Sequence, residues 1–380
     1  MSPAAGPTRV LYLLRYYPTL TETFVYREMR GLLERGVAVS VGTLGGRADG
    51  ALQDELPAVT VLRPPTGLAY LSLLLQLAPI LITRRGRAQL AWLRRDLRLK
   101  DALKALWLAQ QARCFDRVHV HFAGEAAAWA LVARRLHGVP FTVTVHAVDL
   151  FKPSPSLGDL LEGAAEVFTI SRYNQQILEE RYGVRARLVR CGVPPWPGPS
   201  ADPGRQPLVI VAVGRWVPKK GFDLLVRAVE SLPRPVELLL VSDAPRELAS
   251  DRVRVLGLLP PSELREVMAG AGLVALPCRR APDGDQDGVP VVLMEALSAG
   301  IPVLSTPVSG VPELVDTSVG WLVPADDEPA LCAAIGEIAA QPEERLARGR
   351  RGPDQLAGRG FTVVSQVEGI LAAWEAAQPD

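Results

Sequence analysis

Apolar residues in this chain come in short runs separated by longer stretches of helical spacing. VLYLL (10–14), VAVSVGTL (37–44), VHVHF (118–122), FTVTVHA (141–147) and VFTIS (167–171) read as strands, and the amphipathic or alanine-rich segments between several of them read as helices. The pattern then breaks at PPWPGPSADPGRQP (194–207), which is dense in Pro and Gly, has no period, and reads as a linker. Beyond it the alternation restarts. LVIVAVGR (208–215), a helix from Phe222, VELLLVS (236–242), VRVLG (253–257), a helix from Ser262, LVALPC (273–278), a helix from Val289 and IPVLST (301–306) follow in order. Strand–helix alternation of this kind predicts parallel sheets covered by helices on both faces. Two such units, 1–193 and 208–360, predict a two-domain α/β protein with a cleft between the domains.

Composition agrees with this picture. The 380 residues, 48% hydrophobic and 22% charged, describe an ordered chain with material for two cores. A formal net charge of +1 gives no global electrostatic case for nucleic-acid binding. Cys114, Cys191, Cys278 and Cys332 form no CxxC pair, which argues against a cysteine zinc site and a disulfide framework and for reduced thiols in a cytosolic setting. Val10–Leu14 is too short for a signal-peptide core. The longest apolar run, 68–82, is broken by Gln76 and Pro79 and falls short of the ~20 residues that span a bilayer.

Three segments carry candidate chemistry. The first is DGDQDGVPVVLMEALSAGIPVLST (283–306). Its Asp283, Asp285 and Asp287 begin like a calcium loop, but the twelfth position is Met294, Glu295 comes one residue late, and Pro290 removes a main-chain N–H. A helix from about Val289 to Ala299 accounts for more, with Pro290 in its first turn, Gly300 as its stop and Pro302 beyond. Its N-terminus, preceded by Gly284 and Gly288, suits a phosphate. Asp287 stands just before that helix and Glu295 lies on it; a helix cap and a solvated acid explain these two equally well. Asp283 and Asp285 read as a solvated, flexible loop.

The second segment is VAVGRWVPKKGFDLL (211–225), where a strand runs into a loop bearing Arg215, Lys219 and Lys220. In a parallel sheet such loops line the ligand crevice, and fixed cations there suit a diphosphate. A solvated turn is the competing reading. The third is FTVTVHAVDLF (141–151), with His146 and Asp149 at the C-terminal end of a strand, where a histidine is often structural. His119 and His121 alternate on a strand and point to one face. With no third metal ligand at a convincing spacing, packing is their reading.

Together these segments resemble the nucleotide-sugar glycosyltransferases of retaining family 4. VGRWVPKKGFDLL (213–225), DGVPVVLMEALSAGIPVLST (287–306) and SGVPELV (309–315) are similar to that family's donor-site sequence, and YYPTLTETFVYREMRGLLERG (16–36) to the N-terminal segment of its exopolysaccharide and lipopolysaccharide members. The resemblance implies the GT-B fold, two Rossmann-like domains with parallel sheets facing across a cleft, and a last segment, 361–380, that crosses back onto the N-terminal domain. It implies that Arg215 and Lys220 hold the donor diphosphate and neutralise the leaving nucleotide, work that a divalent metal does in other glycosyltransferases. No metal or other cofactor is then expected.

By the same resemblance Glu295 meets the ribose hydroxyls and Asp287 the transferred sugar. Main-chain groups around Gly288, Val289, Pro290 and Val291 meet sugar hydroxyls or phosphate. His146 approaches the sugar, and Asp149 orients its segment. Ser171 reads first as a helix N-cap, with a donor-side role by analogy. Gly310 and Glu313 shape the donor-side loop, or are a core turn and a surface acid. Two departures stand out: the family usually has Glu where this chain has the shorter Asp287, and a Gly-rich turn where it has Ser242-Asp243-Ala244. Retention of anomeric configuration is implied, through an oxocarbenium-like state, with the departing phosphate itself able to take the acceptor proton.

One further stretch bears on the acceptor. Between Arg84 and Arg113 nine basic residues stand against two acids, Asp96 and Asp101, and Leu90, Leu93, Leu97, Leu99, Leu103 and Leu106 recur at helical spacing near Trp92 and Trp107. A basic amphipathic helix with tryptophans fits docking on an anionic leaflet, with 68–82 as a second contact element. An ordinary helix packed on the N-terminal sheet is the competing reading. The expected protein is therefore a cytoplasmic, membrane-peripheral glycosyltransferase taking a UDP- or GDP-sugar to a glycan or lipid-linked acceptor in surface polysaccharide assembly. A non-catalytic nucleotide-sugar-binding protein and a nucleotide-sugar epimerase of the same fold are the alternatives.

Overall fold

The strands of the computed structural model form two all-parallel sheets; it describes residues 8–19, 22–45, 56–196, 204, 206–233 and 236–376, apart from the side chain of Leu68. Most of the linker at 194–207 lies outside the described residues. The first sheet contains β1 (Arg9–Tyr16), β2 (Ala38–Gly45), β3 (Thr60–Leu62), β4 (Arg117–His121), β5 (Phe141–Val145), β6 (Glu166–Thr169) and β7 (Arg187–Leu188), in the order β3-β2-β1-β4-β5-β6-β7. The second contains β8 (Leu208–Val213), β9 (Val236–Val241), β10 (Val253–Val255), β11 (Leu273–Leu276), β12 (Val303–Ser305) and β13 (Gly320–Leu322), in the order β10-β9-β8-β11-β12-β13. The α/β fold expected from the alternation is present twice over. β3, β7 and β13 have only two or three residues each, too few to leave a period in the sequence.

Among the described residues the chain divides into two units. The first draws on Met1–Thr169, Ile177–Leu188 and Val367–Asp380, the second on Ile170–Gln176 and Val189–Gln366. Residues 170–176 and 189–193, expected in the first domain, thus group with the second. In each sheet the strand order reverses direction once, between β1 and β4 and between β8 and β11. Such a switch point opens a crevice beyond the C-terminal strand ends, because the helices on either side leave in opposite directions.

Local sequence explains the elements around these crevices. β8, LVIVAV, is buried along nearly its whole length, as a central parallel strand covered on both faces must be. The helix after it, Phe222–Ser231, buries Phe222, Leu225, Val226 and Val229 at helical spacing. The helix expected from Val289 begins at Val291 and ends at Ser298, with Pro290 as its N-cap and Gly300 just beyond in the left-handed conformation (φ +74°).

The basic stretch is two helices, Arg84–Leu93 and Leu99–Gln111. The second buries Leu103, Leu106 and Trp107 in the core of the first unit, as the packing reading had it, so this apolar face is not free. The exposed apolar side chains lie one element earlier, on the helix Tyr70–Leu81. Leu73 and Leu77 are buried there, while Leu71 and Leu75 are 65% and 68% exposed, and Ile82 beyond the helix is 75% exposed.

Candidate active site

In the second unit the two loops flanking the β8/β11 switch point are locked together. Gly221 ends the first loop at φ +65°, and a Cβ there would lie 2.1 Å from the Pro277 carbonyl oxygen. Only glycine fits on both counts. From the β11 side, the Arg279 N–H donates to the Lys219 carbonyl (2.9 Å) and its guanidinium to that of Pro218 (2.7 Å). Asp243 takes the Trp216 N–H at 2.6 Å, steadying the chain beside Arg215. The residue that stands in place of a Gly-rich turn therefore organises the cationic loop.

Held in this frame, Lys220 Nζ lies 2.8 Å from Asp287 Oδ2. Lys219 Nζ lies 3.1 Å from Asp285 Oδ1 and 3.5 Å from Asp287 Oδ1. Burial alone would push the Asp287 carboxyl up, but the two ammonium groups hold it below its ordinary value. Burial disfavours the Lys220 ammonium, and Asp287 more than restores it. Cys278, fully buried with Sγ 3.7 Å from Asp287 Oδ2, has its thiol pushed far up by burial and by that carboxylate, so it remains a weak donor. Arg215 adds its charge to the field at Lys220. With three cations against two carboxylates, the loop pair retains net positive charge.

One expectation is corrected here. Asp285 is not a solvated loop residue: its side chain is 18% exposed and paired with Lys219. Of the two readings of Asp287, the cap is not the contact found: Pro290, three residues on, is the helix N-cap, and the carboxylate is drawn to Lys220 instead. Asp283, exposed, accepts the Asp285 N–H at 3.1 Å. Gly288 and Val289 are buried just before the helix, and Glu295 sits in its middle, partly exposed.

Ser171, Val289 and Gly310 meet. A Cβ at Gly310 would fall 2.7 Å from Val289 Cγ2 and 2.9 Å from Ser171 Cβ. Ser171 Oγ accepts the Asn174 N–H (3.1 Å), the N-cap bond expected of it, while the buried Asn174 amide has no hydrogen-bond partner among the described residues. Glu313 is an organiser rather than a surface acid: it accepts the Tyr173 N–H at 3.0 Å and pairs with Arg190 at 2.8 Å. Tyr173 in turn accepts from Gln286 (3.4 Å), next to Asp287.

The first unit has a different kind of cluster at its β1/β4 switch point. Tyr12 on β1 donates to Glu28 Oε1 at 2.6 Å, and His121 Nε2 lies 2.9 Å from the same oxygen. His121 Nδ1 lies 3.1 Å from His146 Nε2. His119 Nδ1 meets Thr142 Oγ1 at 2.7 Å. Burial would raise Glu28, but His121, His119 and Tyr12 bring it down to about 2. Burial lowers His119 to about 3 and drives His146 well below its ordinary value, so both rings are neutral. Phe24 and Phe122 pack on His146 at ring separations of 5.2 and 4.5 Å, and Phe122 adopts φ +68°, a strained value for a bulky residue.

Glu28, His119 and His121 also bring one ligand-type atom each within 4.8 Å of one another. Glu28 thus supplies the third ligand-type group beside the two histidines that no spacing in the sequence offered, and its Oε1 also takes the Tyr12 hydroxyl and faces His121 Nε2 at hydrogen-bond distance. His146 begins the short helix Ala147–Phe151, and its N–H donates to Asp149 Oδ2 at 2.8 Å. Burial raises Asp149 to about 7, against the pull of the N–H groups of His146 and Ala123. Its orienting position at this turn is a main-chain contact.

Sequence reasoning passed over Tyr12, Glu28, Phe24 and Phe122. For Glu28 a signal existed: it falls on the buried stripe Phe24, Val25, Met29, Leu32 of the helix Thr23–Glu34, where a charge demands a partner.

The family profile described as "Glycosyltransferase Family 4" matches residues 21–197, and that described as "Glycosyl transferases group 1" matches residues 207–341. The amylovoran biosynthesis glycosyltransferase AmsK of Erwinia amylovora is 33% identical over 168 residues, 39% of this chain and 41% of that protein. A GDP-mannose-dependent alpha-(1-6)-phosphatidylinositol monomannoside mannosyltransferase of Mycolicibacterium smegmatis is 32% identical over 219 residues, 50% of this chain and 56% of that protein. The matches thus span about half the length of these curated relatives. Among solved structures, Anabaena Alr3699/HepE in complex with UDP and glucose superposes with a TM-score of 0.73 at 20% identity, covering 97% of this chain and 100% of that one. That likeness gives the fold, GT-B. With one profile covering the first half and the other most of the second, the chain belongs to the family 4 (group 1) glycosyltransferases.

Proposed function

We propose that the protein is a metal-independent, retaining hexosyltransferase that moves a sugar from a UDP- or GDP-sugar to a glycan or lipid-linked acceptor in surface polysaccharide assembly. The observation that carries this reading is the Lys220–Asp287 pair, 2.8 Å apart with Lys219 beside it, at the switch point of the second sheet and just before a helix N-terminus. An ammonium has three donors. Asp287 occupies one on Lys220 and leaves the rest for phosphate oxygens. Arg215 and Lys219 add positive charge where it accumulates on the leaving diphosphate, the role a divalent metal would otherwise fill. These cations are fixed before the reaction, so their stabilisation costs no reorganisation. Asp287, already ionised, accepts from a hydroxyl of the transferred sugar; Glu295 takes the ribose. The departing phosphate accepts the proton of the incoming hydroxyl.

The Mycolicibacterium relative is GDP-mannose-dependent and the Anabaena protein of the same fold was solved with UDP and glucose, so both bases belong in the test. Thermal unfolding is followed with UDP-, GDP- and ADP-sugars in EDTA. A ligand at one hundred times its Kd adds ~2.7 kcal/mol. One nucleotide class is expected to stabilise the protein in EDTA, and the transfer product is expected to keep the donor's anomeric configuration by NMR. A response that requires a divalent cation refutes metal independence. Stabilisation with an altered sugar still on its nucleotide identifies an epimerase, and stabilisation with no turnover a binding protein.

A lipid-linked acceptor is part of the same proposal. No described helix is long and apolar enough to cross a membrane. Leu71, Leu75 and Ile82 are exposed immediately before the exposed Arg84, Arg85 and Arg87, an arrangement that suits insertion of apolar tips into an anionic leaflet with the arginines at the headgroups.

A further inference from the structure

We propose that Asp285 is a release residue: by offsetting the charge of Lys219 it weakens the crevice's hold on the nucleoside diphosphate left after sugar transfer, a role that rests on the transferase reading above. Lys219 Nζ stands between two carboxylates, 3.1 Å from Asp285 Oδ1 and 3.5 Å from Asp287 Oδ1, while Asp287 Oδ2 lies 2.8 Å from Lys220. Asp285 is thus the nearer partner of Lys219, and Asp287 that of Lys220. The side chains of Lys219 and Asp285 are only 11% and 18% exposed, so water screens their charges in part.

The main chain fixes the pair from both sides. The Asp285 carbonyl accepts the Ala281 N–H at 2.8 Å, and the Asp285 N–H donates to Asp283 Oδ1 at 3.1 Å. On the other loop the Lys219 carbonyl takes the Arg279 N–H at 2.9 Å. None of these bonds uses the Asp285 carboxylate, so the loop keeps its shape when that charge is removed. Lys219 also stays in the crevice without it, because Asp287 is still within 3.5 Å. Losing the charge of Asp285 therefore matters more than losing its grip on Lys219.

The charge of the ligand rises during the reaction. A nucleotide sugar carries one negative charge on each of its two phosphates. Once the sugar has left, the terminal phosphate is free to ionise a second time, with a pKa near about 6, so at neutral pH the product brings close to one charge more. The cations Arg215, Lys219 and Lys220 would then hold product more tightly than donor, and turnover would slow. Asp287 meets the transferred sugar on the reading above. Asp285, on the Lys219 side, offsets the excess charge and lets the diphosphate go.

The test is calorimetric binding to the whole protein in EDTA, with inorganic pyrophosphate, UDP, GDP and the corresponding nucleotide sugars as probes. Asp285→Asn is expected to tighten pyrophosphate and the nucleoside diphosphate that binds by about three- to tenfold, and its sugar derivative by less. The gain should shrink as salt is raised, because screening acts on charge and not on shape. Asp285→Glu keeps the charge and should bind as the wild type does. In transfer assays Asp285→Asn should show a lower kcat and stronger inhibition by added product. Binding that is weaker or unchanged in Asp285→Asn overturns the proposal, as does a gain that salt leaves untouched. Pyrophosphate bound by neither form overturns it as well. The wild type alone supplies a check should the variant not fold: product is expected to bind about as tightly as donor, and a product held far more tightly refutes the release role. The two readings fail differently. Nucleotide binding that Asp285→Asn does not alter sinks the release role and leaves the transferase standing, whereas tighter pyrophosphate in a chain that binds no nucleotide supports the charge balance at Asp285 and refutes the transferase.

Discussion

At the β8/β11 switch point two lysines meet two aspartates, with ion pairs of 2.8 and 3.1 Å, and the chain places a further arginine in the same loop. At the β1/β4 switch point a carboxylate is held by a phenol and an imidazole, and the neighbouring rings are kept neutral by burial. The strand order around both crevices is the same. What differs is the charge a ligand must bring. Ion pairs between partly accessible groups can exchange one anion for another, so on the proposed function the lysine cluster would take a diphosphate without creating an unpaired charge. A neutral network offers directional donors and acceptors at fixed positions and suits an uncharged partner such as a sugar hydroxyl. The same topology thus supplies one crevice for charge and one for direction.

Removing Lys220 breaks this contrast most severely. Lys220→Ala leaves Asp287 with only Lys219, at 3.5 Å, and on the proposed function removes a contact to the donor phosphates. Loss of one preorganised group of this kind costs about 10²–10³-fold in kcat. Transfer rates and the nucleotide-dependent rise in Tm should both collapse, while Lys219→Ala, farther from Asp287, should lose less. Equal losses in the two variants would mean that the lysines act as a diffuse patch.

Much of the lysine crevice was legible in the sequence, because its chemistry lies in contiguous stretches: Arg215 to Lys220 in one loop, and Asp285 to Asp287 in the loop before the helix that bears Glu295. The strands around it were legible for the same reason, each being a short buried run. Asp285 was misjudged because its partner, Lys219, is distant in sequence and is brought near only by the stitching of Arg279 onto Pro218 and Lys219. The histidine crevice was hidden more deeply. Its members come one or two at a time from β1, the helix Thr23–Glu34, β4 and the turn after β5, and no local pattern joins Tyr12 to His146. Of the two contact elements expected, 68–82 carries the exposed apolar side chains while much of the stripe in 84–113 is covered by the core, since periodicity marks an apolar stripe without saying whether the core already covers it.

Opposite responses to pH sharpen the comparison. Asp287 is held below its unfolded value, so its stabilisation is present above about pH 4 and is lost as pH falls through the folded pKa. Asp149 moves the other way, from 3.8 to about 7. Its folded form favours the protonated acid, so that contribution is complete below pH 3.8 and is lost as pH rises to about 7. Glu22, raised to about 6 chiefly by burial, adds to the same limb. Glu28, lowered to about 2, adds to the acid limb. Tm followed from pH 3 to 8 should therefore fall at both ends. Asp149→Asn, which mimics the protonated acid, should flatten the decline between about pH 4 and 7, while Asp287→Asn should soften the acid limb. An Asp149→Asn profile parallel to the wild type would place the charged form of Asp149 at no disadvantage in the fold.

The smallest effect separates the two regions by packing alone. Gly310 and Gly158 are both glycines at helix beginnings, but their surroundings differ. At Gly310 a methyl group would meet Val289 Cγ2 at 2.7 Å and Ser171 Cβ at 2.9 Å, contacts closer than carbon atoms tolerate. Gly310→Ala must push apart Val289, just before the helix at Asp287, and Ser171, the cap of another helix; overpacking of this sort costs about 1–3 kcal/mol. At Gly158, exposed in the helix Leu157–Gly163, a methyl group meets nothing within 4 Å. Gly158→Ala there removes backbone freedom from the unfolded chain and should add about 0.5–1 kcal/mol. Thermal melts of the two variants should thus shift in opposite directions. Only the Gly310 variant should also weaken nucleotide binding, because the atoms it displaces belong to the wall beside Asp287. A Gly310 variant that loses stability but binds nucleotide with unchanged Kd would show that Ser171 and Val289 support the fold without shaping the donor crevice.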